Sequence, residues 1–521
     1  MKCAKRINGI CIFFLISRLL VNTGLGNNVT ITNMSLLAPD TVNHTRTIRF
    51  DIRWENSWRD EENYDAVWVF LKYTYNGGST WSHGTLNNSG TNPAGFSQGA
   101  GTGLDIVVPS DKKGAFLQRT ATGEGSVGTT GLQFVWNYGT DLTNNDALAA
   151  ISSVRVTAIE MVYVPEGAFY VGSGGTEYCS FTEGEEGKEW ENEITPSVPF
   201  CITNEAALAI TNRAGGLWAV ENRETSEYQS TIGPNGELSA AFPKGYAAFY
   251  CMKYQITQGQ YADFLNQLAT AQATSREIHY KSGYAAGRGT IGNTVGVYTS
   301  GAPTRACNFL KWTDGAAYMD WAALRPMSEL EYEKACRGTN APVANEYAWG
   351  STSITQQTAH VGTDGSGTET ASPVSANCMY GHGDIVRGPV RVGIYATGSS
   401  SREAAGATFY GIMEMSGNLY ERIVAVGGYN NSTPGRDFTG THGDGELDAS
   451  GEANVTSWPD VLPLDSIPLN ESSTGYGIGF RGGNWSHATL SMLCTSSRYM
   501  SSFSKNTRAN VFGFRGVRTA P

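Results

Sequence analysis

The chain has 521 residues, more than one hydrophobic core ordinarily serves, so two or more domains are expected. Only 16% of residues are charged, against roughly 25% in typical soluble domains, while glycine alone supplies 63. This turn-rich texture is not that of a helical cytosolic enzyme. With a formal net charge of −11 and no basic cluster to track phosphates, nucleic acid and anionic membranes are not expected as partners.

Lys2, Lys5 and Arg6 precede the apolar run from Ile10 to Ile16, and small residues follow near Gly26. That layout predicts a secretory signal peptide over residues 1–26. The run is too short to span a bilayer, and the mature chain is expected to have no transmembrane segment. Cleavage also removes Arg18, so the mature charge falls from −11 to about −15. Seven cysteines remain: Cys179, Cys201, Cys251, Cys307, Cys336, Cys378 and Cys494. An odd number in an oxidising compartment leaves at least one unpaired, and none forms a Cys-x-x-Cys pair of the zinc or redox kind. A Cys179–Cys201 bridge is one way to staple the acidic stretch over residues 183–193.

Residues 27–158 alternate in the manner of strands. Ile48, Phe50, Ile52 and Trp54 share one face, with Asp51 and Arg53 on the other. Further apolar segments lie at 67–75, 104–109, 132–136 and 154–158, separated by turn residues. The pattern predicts an antiparallel β-sandwich, acting either as a spacer or as a carbohydrate-binding module.

From Met161 the texture changes. A strand over 161–171 is followed by an insertion at about 176–245 and a second strand over 249–257. Tyr261, Phe264, Leu265 and Leu268 then recur at helical spacing, which predicts a helix over 258–268 capped by Thr257. A second helix is expected from Trp312 to Trp321. A third begins after Ser328, with Glu331 completing a capping box. Farther on come Gly411-Ile-Met-Glu-Met-Ser-Gly-Asn-Leu-Tyr-Glu421, Phe480-Arg-Gly-Gly-Asn-Trp-Ser-His487 and Gly513-Phe-Arg-Gly-Val-Arg518.

Taken in order, the strand at 161, the Arg-Pro-Met-Ser-Glu segment at 325 and these last three motifs resemble the formylglycine-generating enzyme (sulfatase-modifying factor) family. The resemblance covers roughly residues 160–521. It implies an α+β architecture: the N-terminal β-sandwich followed, over 159–521, by a loop-rich domain with a C-type-lectin-related fold. In that family an active-site cysteine ends a Gly-Gly-x-x-x-Cys segment, and its partner lies five residues later. Here those places hold His487 and Met492, with Cys494 two residues beyond.

The resemblance also implies calcium as a structural cofactor. Asn418 and Glu421 would supply side-chain oxygens and Leu419 a carbonyl, in keeping with the six to eight oxygen ligands calcium takes. A second family site would draw on Asn377, the Cys378 carbonyl, Asp384 and the Val386 carbonyl. On that basis calcium is expected to raise the unfolding temperature. The acidic segment from His442 to Asp448 lacks EF-hand spacing and is read as a solvated loop.

The family's oxidase binds copper(I) through two soft thiolates and turns a substrate cysteine into an aldehyde, so copper is expected only if that activity persists. The seven histidines are scattered, and none shows the spacing of a helical metal site. The leading expectation is a secreted or cell-surface protein whose family domain is non-catalytic, a calcium-stabilised binding or scaffolding module. Its partner would be an extracellular protein, peptide or glycan, met through Asn484, Trp485, His487, Tyr499, Phe503 and Asn506, aromatics with adaptable polar neighbours. The alternatives are an oxidase acting on a sulfatase cysteine through His487, Met492 and Cys494, or a lectin-like domain with diversified C-terminal loops.

Overall fold

The computed structural model describes residues 28–521 apart from 76–77, 143–147, 149–150, 152, 187–195, 221–231, 280–282, 284, 382–386, 428–432, 460–476 and 504–505. The expected signal peptide lies outside the described residues. So do Asp384 and Val386.

Strands dominate, and helices are few and short. In the N-terminal part they are β1 (Thr30–Asp40), β2 (Thr45–Arg59), β3 (Asp65–Thr74), β4 (Leu104–Val108), β5 (Ala115–Arg119) and β6 (Gly123–Trp136). β2 lies between β1 and β6 in one antiparallel sheet. It buries Ile48, Phe50, Ile52 and Trp54, as its alternation predicts. These side chains join Val67, Val69 and Leu71 of β3, Ile106 of β4 and Leu117 of β5 in one apolar cluster.

β3 is buried along its whole length because both its faces are covered. Val67, Val69 and Leu71 face β2, while Ala66, Trp68 and Phe70 enter a second core built by later residues. The strand joining the two parts is β7 (Ser153–Val164). It pairs with β3 from Ser153 to Val162 and with β8 (Phe249–Met252) from Met161 to Val164. A boundary at 158/159 therefore falls inside one strand, and a single nine-stranded sheet runs through both parts. Periodicity reports which way a side chain faces but not which strand lies beside it.

Then come α1 (Gln258–Leu265), a short helix at Thr270–Arg276, α2 (Trp312–Trp321) and α3 (Glu329–Arg337). α1 stops at Leu265, short of the predicted 268. Its Thr257 cap and the Ser328 capping box of α3 form as expected. Within the insertion, Phe181, Ile210, Leu217 and Leu238 enter the second core.

α3 is strongly polar in sequence yet buried throughout. Its acids are met by arginines, two from the C-terminal segments, one just before the helix and one at its own end. Arg498 holds Glu329 through two bonds of 2.9 and 3.0 Å, and Arg325 holds Glu331 through two of 2.8 and 2.6 Å. Glu333 pairs with Arg337 at 3.1 Å and with Arg481 at 2.5 Å. Removing one partner of such a pair strands a buried charge, so the arginines of the C-terminal motifs are structural. The last strands are β9 (Tyr420–Val424), flanked by β10 (Ile478–Arg481) and β11 (Phe512–Gly513), and β12 (Gly516–Thr519), which pairs with β8.

Candidate functional site

β10 is followed by Gly482 and Gly483, both at positive φ. A Cβ at Gly482 would lie 2.6 Å from the Met415 carbonyl, so the close turn requires glycine. This turn returns the chain against β9, where the Trp485 N–H donates to the Asn418 carbonyl at 2.8 Å. Asn484 Oδ1 accepts from the Ser486 N–H at 2.8 Å, which leaves the Asn484 amide nitrogen to donate to His487 Nε2 at 3.3 Å. Tyr420 Oη lies 3.1 Å from the same Nε2. His487 Nε2 is thus engaged within the protein.

Cys494 follows the short turn Leu490–Leu493. It is 2% exposed, and its Sγ donates to the Asn345 carbonyl at 3.3 Å. Burial pushes its thiol well above the ordinary range, with the nearby Glu177 and Glu346 acting the same way. A protonated thiol is a poor nucleophile and a poor copper ligand. No disulfide forms among the described residues. Nor do they contain a group of three His, Cys, Asp or Glu side chains arranged to hold a metal. Met492 is half-buried in the turn.

The expected recognition surface is only partly a surface. Asn484 and Trp485 are buried, and Trp485 donates its indole N–H to the Asn510 carbonyl at 3.0 Å. Tyr499 packs against Tyr178 with ring centroids 5.2 Å apart, and Phe503 against Phe480 and Phe512 at 5.4 and 5.5 Å. His487, Tyr499 and Phe503 are half-buried, and Asn506 is exposed. An aromatic in a glycine-rich loop reads as exposed. Here the close turn carries Trp485 inward instead.

The set carried over for calcium is closed by protein groups. The Val390 N–H donates to Asn418 Oδ1 at 2.9 Å, so Asn418 presents its NH2 inward, to Gln255 Oε1 at 2.9 Å. This fixes the Gln255 amide in turn. Its Nε2 donates to the Leu419 carbonyl at 2.8 Å and to Glu421 Oε1 at 3.1 Å. Arg515 takes both oxygens of Glu421, at 2.9 and 2.7 Å, and both residues are fully buried. An amide nitrogen and a guanidinium stand where a divalent cation would need oxygens, so this set does not fit calcium. Gln255 was not singled out in the sequence; a lone amide between two strand-like residues gives no signal. In the second set, Asn377 Oδ1 accepts from Thr355 N–H at 2.8 Å and the Cys378 carbonyl from Gln357 N–H at 2.9 Å. The loop from His442 to Asp448 is docked as well as acidic. Lys72 donates to its Gly445 carbonyl, and Glu446 accepts from the His83 N–H.

Residues 148–520 match the sulfatase-modifying factor enzyme 1-like domain, and the chain belongs to that family. No curated protein matches the chain.

Proposed function

We propose that this is a secreted or cell-surface protein whose family domain has lost the oxidase chemistry and serves as a binding or scaffolding module. The observation that carries the reading is the state of Cys494. Cys494, which follows the positions of the family's thiols in the chain, is buried, with its thiol pushed up by that burial, and is bonded to a main-chain carbonyl. His487, at the first of those positions, has its Nε2 engaged by Asn484 and Tyr420. The low charge content and the predicted leader support an extracytoplasmic address. No helix among the described residues is long and apolar enough to cross a membrane.

The reading takes the N-terminal part as a β-sandwich and the remainder as a C-type-lectin-related fold. Its partner is an extracellular protein, peptide or glycan. The test is alkylation of the native protein, followed by mass spectrometry of the peptide that contains Cys494. Cys494 is expected to stay unmodified until denaturant is added. Rapid native alkylation that copper(I) blocks would revive the oxidase.

A further inference from the structure

A cleft of about 530 Å³ runs along the seam between the two parts of the chain. One wall comes from the end of β2 and the turn after it, with Asn56, Trp58, Asp60 and Asn63. The other comes from residues 393–413 of the family domain. Asn63 Nδ2 donates across the seam to the Tyr410 carbonyl at 2.7 Å, and Lys253 Nζ donates to the Asn56 carbonyl at 3.3 Å. The walls are therefore fixed to each other. Trp58 is held by Gly411, where a Cβ would come within 2.9 Å of the ring and φ is +87°.

The chemistry of the lining narrows the ligand. The half-buried Trp58 and Phe409 supply aromatic surface, backed by the buried Tyr254 and Tyr410 and with Lys253 and Arg402 each lying over one of the two rings, and Thr397 and Ser401 supply hydroxyls near the rim. The charges are largely spent on the protein itself. Lys253 lies 3.5 Å from Glu160 and 3.8 Å from Asp65. Arg402 donates to the Cys336 and Ala348 carbonyls at 3.1 and 3.0 Å, and Asp60 Oδ1 accepts from the Glu62 and Asn63 N–H groups. The volume lies within the range of small-ligand sites, roughly 300–1,000 Å³. A protein partner would instead need a broad face of about 800 Å².

We propose that this seam cleft binds a neutral saccharide, its ring stacked on the aromatic wall and its hydroxyls bonded to the amide and hydroxyl groups of the rim. The N-terminal part then supplies half of a binding site, beyond any role as a spacer. The proposal rests on the non-catalytic reading but fails separately from it, because it is read by binding and not by thiol chemistry. The full chain is applied to an array of neutral, sulfated and sialylated oligosaccharides, and the neutral members bound are titrated by tryptophan fluorescence. Trp58→Ala is expected to weaken binding about tenfold or more. Ser401→Trp, placed at the exposed rim to block the cleft, is expected to abolish it, while Val295→Ala, at an exposed turn outside the cleft lining, leaves it unchanged. Thermal melts confirm that each variant is folded. Binding to no member, binding to acidic members alone, or unchanged binding by folded Trp58→Ala and Ser401→Trp would overturn the proposal.

Discussion

Arg515→Met tests whether the network around Glu421 holds the family domain without a metal. In the folded protein Arg515 makes a two-pronged pair with Glu421 and also donates to the Met252, Lys253 and Met413 carbonyls, all in the interior. Methionine fills much of the volume but leaves Glu421 buried with the Gln255 amide as its remaining donor. Breaking a buried pair from one side costs about 3–5 kcal/mol. Unfolding entropy of about 2.1 cal/mol/K per residue gives roughly 1 kcal/mol/K for a chain of this size melting as one unit, so Tm should fall by about 3–5 °C. Glu421→Gln should cost a comparable amount, and the double variant less than the sum of the two. The assay is thermal unfolding followed by near-ultraviolet circular dichroism, in excess chelator and in excess calcium. Both losses should be the same in the two buffers. If calcium erased the Arg515→Met loss, or if the Glu421→Gln loss appeared only with calcium present, the cation would be filling the place assigned to the guanidinium and the amide. The reasoning would then be wrong.

Two further outcomes follow from buried groups. Burial pushes the Glu414 carboxyl up to about 7, from an ordinary 4.5. The folded state therefore binds more protons than the unfolded chain between those values, and this group's contribution turns against stability as pH rises through that window. Glu414→Gln keeps an acceptor for the Gly393 N–H and should gain on the wild type by up to about 3 kcal/mol above pH 7, measured by denaturant melts; a constant difference at all pH values would contradict this. A chain beginning at residue 148 loses Trp68, Phe70 and Phe116 from the second core and leaves β7 without its β3 partner. It should aggregate or lack a cooperative melt, and a well-folded monomer by light scattering and calorimetry would show that the two parts are independent.

The sequence was most readable where local rules act alone. The alternation in β2 placed Ile48, Phe50, Ile52 and Trp54 inside, and Thr257 and Ser328 marked their helix starts. It was least readable where partners lie far apart in the chain. The polar α3 looks solvent-exposed until Arg481 and Arg498 arrive from about 150 residues away. The same holds for Lys72, whose strand neighbours are apolar and whose acceptor, the Gly445 carbonyl, belongs to a loop that reads as solvated. At the candidate site, the places of the missing thiols were visible in the motif, but the burial of Trp485 and the closure of the calcium set by Gln255 were not. Both depend on how a tight glycine turn and a main-chain N–H orient side chains, which residue type alone does not encode.

The most direct measurement is incubation of the full chain with copper(I), oxygen and a peptide carrying a sulfatase-type cysteine motif, followed by mass spectrometry for the aldehyde. No aldehyde above the protein-free control is expected, because Cys494 is sequestered and His487 is engaged. Aldehyde formation that Cys494→Ser abolishes would show a working oxidase and contradict the account.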